Sequence, residues 1–250
     1  MDLAVSTLGL TRTFGDLVAV DHIDLVVPRG AFYGFLGPNG AGKSTTLKCL
    51  TGLLQPSSGE MRILGLQPRK DELAIKRQIG VIPEDEALFE RLSGAETLAF
   101  VGRVHGLDRA TVEQRSGELF DLLDLTEAAS TLVADYSHGM RKKLSLAVAF
   151  LPAPRLLFLD EPFEGIDALA ARLIKELLHR FVERGGTVFL TSHILEIVER
   201  LADQVGVIHR GRLVAQGALA EVSGGRRLED AFVELVGGET EQRPTLEWLA

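Results

Sequence analysis

Gly37-Pro38-Asn39-Gly40-Ala41-Gly42-Lys43-Ser44 is the stretch from which the rest of the chain is read. It fits the phosphate-loop pattern in full: a glycine, four free positions, then Gly-Lys and a hydroxyl residue. Glycines let successive backbone N–H groups converge on phosphate oxygens with no Cβ in the way. The flanks agree with this reading. Ala31 to Leu36 is apolar throughout, which suits a strand buried on both faces, and a helical run follows from about Ser44 to Leu54. A helix N-terminus there adds partial positive charge. Lys43 is then expected to reach the β- and γ-phosphates of a nucleotide, and Ser44 to hold Mg²⁺. Gly37, Asn39, Gly40, Ala41, Gly42 and Thr45 complete the expected phosphate cradle.

Downstream, Leu156-Leu157-Phe158-Leu159-Asp160-Glu161 places four apolar residues before two carboxylates. The apolar run predicts a buried strand that delivers Asp160 to its C-terminal end, where α/β sheets bind ligands. Asp160 is a candidate Mg²⁺ contact and Glu161 a candidate general base for an attacking water.

The chain between and around these motifs alternates strand and helix patterns, which predicts a mainly parallel sheet. Ile23, Leu25 and Val27 read as a strand ending at the turn Pro28-Arg29-Gly30, and Met61 to Leu64 as another. From about Ala87 to Leu151 strand patterns disappear, and Leu119, Leu122, Leu123 and Leu125 stand at helical spacings. Residues 87–151 are therefore expected to form a helical lobe inserted into an ATPase domain of residues 1–222. Residues 223–250 form a tail, with a possible short helix at Leu228 to Val236. Further strands are expected at Thr187 to Leu190 and in a hairpin turning at Arg210-Gly211, and helices at Ala168 to Val182 and Ile194 to Leu201.

Composition bounds the partners. The net charge is −8 with no basic stripe, which disfavours nucleic acid. No apolar run approaches the ~18–20 residues that span a bilayer. Met1-Asp2-Leu3 lacks a basic stretch followed by an apolar one, so no signal peptide is expected. The single Cys49 precludes an internal disulfide and reads as a small core residue. A globular, intracellular protein is the expectation.

Tyr136-Ser137-His138-Gly139-Met140-Arg141, shortly before Asp160-Glu161, resembles the signature of the ABC (ATP-binding cassette) ATPases, usually Leu-Ser-Gly-Gly-Gln. Ser137 and Gly139 match it, whereas Tyr136, His138 and Met140 depart from it. Ser137 is also a good helix N-cap by residue type. The resemblance implies a P-loop core with an N-terminal antiparallel β subdomain, and ATP and Mg²⁺ as cofactors. It implies that Ser137, His138, Gly139 and Met140 face the ATP of an opposite subunit, in a homodimer or heterodimer of cassettes. Phe14 then matches the aromatic residue that stacks on adenine, Asp167 the loop that touches the partner cassette, and His193 the switch histidine at the γ-phosphate. Glu84 stands where the family usually has Gln, at a coupling loop where it can also ligate Mg²⁺.

The stretch Asp85 to Leu107, with Leu88-Phe89-Glu90-Arg91-Leu92, resembles exporter ATPases that pair with separate permeases. The implied function is an ATPase at the cytoplasmic face of the cell membrane, peripheral to it and held there only by the permease. The alternatives are a soluble ABC-type ATPase not coupled to transport, or a poorly active partner cassette in a heterodimer.

Overall fold

The computed structural model describes residues 2–85 and 87–237. Along the chain, β1 (Leu3–Phe14), β2 (Leu17–Ile23) and β3 (Val26–Pro28) form an antiparallel sheet around β1. The strand expected across residues 23–27 is interrupted, because Asp24 and Leu25 turn their polar groups off the ladder. The Asp24 carboxylate accepts the Gly9 N–H at 2.5 Å, and the Leu25 N–H donates to Thr7 Oγ1 at 2.8 Å. The chain then enters β4 (Phe32–Leu36) and α1 (Lys43–Leu50) and returns as β5 (Ser58–Ile63), which pairs with β1. Helix α1 stops at Leu50 rather than Leu54. The Thr51 hydroxyl bonds back to the Leu47 carbonyl at 2.9 Å, and Gly52 enters the left-handed region at φ 76°, which terminates the helix.

The chain continues through α2 (Pro68–Lys76) and β6 (Ile79–Ile82), then α3 (Gly94–Val104), α4 (Arg109–Leu122) and α5 (His138–Phe150). It closes with β7 (Leu156–Asp160), α6 (Ala168–Glu183), β8 (Thr187–Ser192), α7 (Leu195–Leu201), the hairpin β9 (Gln204–His209) and β10 (Arg212–Ala218), α8 (Leu219–Ser223) and α9 (Leu228–Val236). The second sheet runs β10-β9-β4-β8-β7-β6, parallel except for β10. At the hairpin Arg210 and Gly211 both take positive φ, 47° and 79°, the twist that a tight two-residue turn requires.

Strands β4, β7 and β8 are buried at every residue. Their alternation splits the interior in two. Phe32, Leu36, Leu157, Leu159, Val188 and Leu190 enter a core shared with α5, α6 and α7, while Tyr33, Phe35, Phe158 and Phe189 enter one shared with α1 and the antiparallel sheet. Burial on both faces is the reason the phosphate-site strands read as unbroken apolar runs. Cys49 is wholly buried in the second core, and burial pushes its thiol up to about 11.

Helix α3 opens with a capping box: Ser93 Oγ accepts the Glu96 N–H, and the Glu96 carboxylate accepts the Ser93 N–H at 2.8 Å. Helix α9 packs on α7 and on the hairpin, with Leu228 and Ala231 buried. The remainder of the expected tail, residues 238–250, lies outside the described residues. Among the described residues no helix is long and apolar enough to cross a membrane.

Candidate nucleotide site

The sheet register assembles the site. Leu36 of β4 lies opposite Ser192 of β8, Thr191 opposite Asp160 of β7, and Leu159 opposite Ile82 of β6. Parallel strands in this register send the Gly37 loop, Glu161, His193 and Pro83-Glu84 out of the same C-terminal edge, side by side. They surround a cavity of about 390 Å³. Of the residues singled out in the sequence, Phe14, Asn39, Gly40, Gly42, Lys43, Ser44, Thr45, Glu84, Glu161 and His193 line it, and Leu17, Ala19 and Glu164 join them.

Two glycines are required by crowding. A Cβ on Gly37 would lie 2.4 Å from the Ile208 carbonyl oxygen, and one on Gly42, at φ 108°, 2.5 Å from that of Ala19. The loop thus packs against β9 and β2 while turning into α1. Gly37 and Ala41 are not among the residues that line the cavity. Ala41 is buried and its N–H donates to the Pro38 carbonyl at 3.1 Å, so the loop uses that amide to hold its own shape.

Lys43 is buried at the first turn of α1. Its ammonium donates to the Gly37 carbonyl at 2.9 Å and stands 3.5 Å from Glu161 Oε1. Ser44 Oγ lies 3.2 Å from Asp160 Oδ1 and 3.4 Å from Glu84 Oε2. Asp160 Oδ1 also accepts from the Thr191 hydroxyl, whereas Asp160 Oδ2 is buried without a hydrogen-bond partner. An orphaned buried carboxylate oxygen is costly, and here it stands beside two further oxygen donors. That donor set suits Mg²⁺, which takes one or two protein oxygens and completes its shell with phosphate and water. Among the described residues no group of three or more His, Cys, Asp or Glu is placed to hold a metal ion.

Glu161 adopts φ 47°, rare for a residue with a side chain. Backbone strain of this kind, on the order of 1–3 kcal/mol, persists where surrounding structure enforces it, commonly at functional sites. The enforcing groups are visible. The Glu161 N–H donates to Thr191 Oγ1 at 3.2 Å, His193 Nδ1 stands 3.0 Å from Oε1, and the His193 N–H donates to Oε2 at 3.3 Å. Thr191 was not picked out in the sequence, yet its hydroxyl holds both the Asp160 carboxylate and the Glu161 backbone N–H. Its only sequence signal is its place at a strand end just before Ser192-His193. Phe14, at the end of β1, is 44% exposed at the cavity, and the Arg12 guanidinium lies 4.5 Å from its ring centroid, a cation–π contact that steadies the ring.

The remaining sequence-picked residues stand elsewhere. Ser137, His138, Gly139 and Met140 form the first turn of α5 and do not line the cavity. Ser137 Oγ accepts the Met140 N–H at 3.3 Å, so Met140's amide is engaged by the cap while its side chain packs on the core. His138 Nε2 lies 3.4 Å from the Glu164 carbonyl oxygen. Asp167 caps α6, accepting the N–H groups of Leu169 and Ala170 at 2.9 Å, and the Ala170 N–H above all holds its carboxyl below the ordinary value. A Cβ on Gly139 would come 3.9 Å from Asp167 Oδ2, so the two helix starts are neighbours. Beside them Leu169 is 81% exposed.

Fold and site define a phosphate-loop nucleotide hydrolase. The comparisons with known proteins narrow that class. Residues 20–164, more than half of the chain, match the family model described as ABC transporter. The daunorubicin/doxorubicin resistance ATP-binding protein DrrA of Streptomyces peucetius is 39% identical over 219 residues, covering 88% of this chain and 66% of that protein. The Nod factor export ATP-binding protein I of Cupriavidus metallidurans is 39% identical over 240 residues, covering 96% and 79%. A solved structure described as the ATP binding subunit of an ABC transporter superposes with a TM-score of 0.87 at 33% identity, covering 93% of this chain and 99% of that one. The chain belongs to the ABC transporter family, as an ATP-binding subunit that hydrolyses ATP.

Proposed function

We propose that this subunit drives export of a solute through a separate membrane permease, hydrolysing ATP between two cassettes. The carrying observation is the convergence of Lys43, Ser44, Asp160, Glu161 and His193 in one cavity, in a chain whose relatives are named for drug resistance and Nod factor export.

In this reading Phe14 stacks on adenine, and the amides of the Gly37 loop with Lys43 bind the phosphates. Lys43 exchanges its contact with the Gly37 carbonyl for phosphate oxygens. Glu161 accepts a proton from the attacking water as general base, and His193, 3.0 Å from it, orients it and contacts the γ-phosphate. Mg²⁺, when bound, neutralises phosphate charge; Ser44 and Asp160 hold it, with Glu84 near. Such a cation is needed electrostatically. Lys43 is the single cationic side chain among the cavity's lining residues when His193 is neutral, against Glu84, Glu161 and Glu164. Polyphosphate and carboxylates repel each other at these separations.

The first turn of α5, Ser137 to Met140, reaches the nucleotide of another cassette through two-fold head-to-tail pairing, with Asp167 at the contact. Homodimer and heterodimer both satisfy this geometry. Docking to the permease falls to the surface that follows Glu84. There Phe89 and Phe100 form an exposed edge-to-face pair with centroids 5.1 Å apart, and Val104 continues that face one helical turn on. The working place is then the cytoplasmic face of a membrane, reached through the permease.

The test is co-expression with the permease encoded alongside. Wild type should move to the membrane fraction, and Phe89→Asp should remain unbound with basal ATPase intact. Unchanged membrane association of Phe89→Asp would refute the docking surface. An isolated Glu161→Gln protein that stays monomeric with ATP-Mg²⁺, alone and with any companion cassette, would refute the two-cassette site.

A further inference from the structure

Helices α5 and α6 begin as neighbours at Ser137 and Asp167. Their C-terminal ends meet α4 around a second cavity, of about 510 Å³, which shares no lining residue with the nucleotide site. Helix α4 turns Leu119 and Leu122 to it, and α6 turns Leu177 and Phe181. Residues three and four apart share a helix face, so each helix lends an apolar stripe. Phe150 of α5 joins them, its ring edge-to-face with that of Phe181 at 5.4 Å. A Cβ on Gly186 would lie 2.5 Å from Phe181 Cζ, so the glycine makes room for that ring. The fold itself therefore holds the trough in shape.

Its rim is cationic, in a chain whose net charge is −8. Arg115, Arg180 and Arg184 line it against a single acid, Glu118. Arg115 is anchored, donating to the Leu151 carbonyl at 2.8 Å, and Glu118 already accepts from the Gln114 amide at 3.0 Å. Arg180 and Arg184 are exposed and enter no ion pair among the described residues. Capping accounts for Arg115, whereas the other two forks stand beside the apolar stripe unfilled. Clefts of roughly 300–1,000 Å³ hold small molecules. Guanidinium forks match a carboxylate, and the stripes match a hydrocarbon body. Glu118 on the same rim disfavours a doubly charged phosphate head.

We propose that the α4–α6 cavity binds a hydrophobic carboxylate, with its chain along Leu119, Leu122, Leu177 and the two rings and its head on Arg180 and Arg184. The ligand then bridges α4 to α6 from outside either helix.

Decanoate is the probe, titrated calorimetrically into the full chain below its micellar concentration. It should bind saturably. Decyltrimethylammonium carries the same chain with the opposite charge, and butanoate the same head on a shorter chain. Each should bind at least about tenfold more weakly than decanoate. Arg180→Glu combined with Arg184→Glu should weaken decanoate binding by about tenfold or more. Both residues are exposed and lie outside the nucleotide cavity, so the variant should keep its circular dichroism spectrum and basal ATPase. Absence of saturable decanoate binding overturns the proposal. So does equal binding of the two decyl amphiphiles, or a decanoate affinity that survives the double substitution. The comparisons among the three probes use wild type alone and decide the matter whether or not the variant folds.

Discussion

The nucleotide cavity and the α5–α6 surface both begin at helix N-termini, and they differ in what completes them. At the cavity, Lys43, Ser44, Asp160, Glu161, Thr191 and His193 contact one another within a single chain. At the other surface, Ser137 and His138 are exposed, and the caps of Ser137 and Asp167 are used on their own helices. The first region is concave and gathers the lysine, the hydroxyl and the carboxylates proposed to act on the nucleotide. The second is an outward-facing turn whose own residues, Ser137 to Met140, include neither a lysine nor a carboxylate. The contrast teaches that the chain carries its own chemistry but only half of the proposed phosphate enclosure, so its rate should depend on a second cassette.

The largest effects should fall in the first region. Glu161→Gln removes the base and keeps the metal side of the site, so steady-state ATPase should fall about 10²–10⁴-fold while nucleotide binding persists. Lys43→Ala should lose binding itself. Full turnover in purified Glu161→Gln would sink the base assignment.

A mixing experiment cuts between the two regions. Lys43→Ala alone and Ser137→Arg alone should each be inactive. Mixed, they should regain ATPase, because one of the two composite sites then has an intact phosphate loop from one chain and an intact α5 turn from the other. Activity in Ser137→Arg by itself, at any concentration, would mean that the cavity needs no partner.

Glu84→Gln should do less. Its only described contact is the exposed 3.4 Å approach to Ser44 Oγ. A hydrogen bond of that kind contributes roughly 0.5–1.5 kcal/mol, so ATPase should stay within about tenfold of wild type. A loss as deep as that of Glu161→Gln would give Glu84 a catalytic role. The smallest change should come from Ser93→Ala, which opens the α3 capping box and should cost about 1 kcal/mol. That corresponds to roughly 2–4 °C in melting temperature for a chain of this size, with turnover per folded molecule unaltered. A larger fall in turnover would show that α3 reaches the cavity.

Legibility in the sequence followed the same divide. Strands β4, β7 and β8 announced themselves as apolar runs because they are buried on both faces. Edges were less clear. Strand β1, twelve residues long, carries a mixed pattern because it pairs with three strands and is covered unevenly, and it was not delimited beforehand. The break at Asp24-Leu25 depends on Thr7 and Gly9, far away in sequence. The end of α1 was overrun because apolar Leu53 and Leu54 continue the pattern, while Thr51 and Gly52 settle the matter locally.

The sequence by itself determined the chemistry: a phosphate loop, a strand ending in two carboxylates, and a histidine after a further strand, each a local pattern with a local physical cause. Only the tertiary structure decided how these meet. Leu36 falls opposite Ser192, and Asp160 opposite Thr191, through the register of strands more than a hundred residues apart in some pairs. That register makes Thr191 the group that holds both the Asp160 carboxylate and the backbone N–H of the strained Glu161. It likewise leaves Ser137 outside the cavity and gathers Arg115, Arg180 and Arg184 on one rim. Backbone pattern is set by neighbours a few residues away, whereas side-chain convergence is set by strand order and register, which no window of sequence contains.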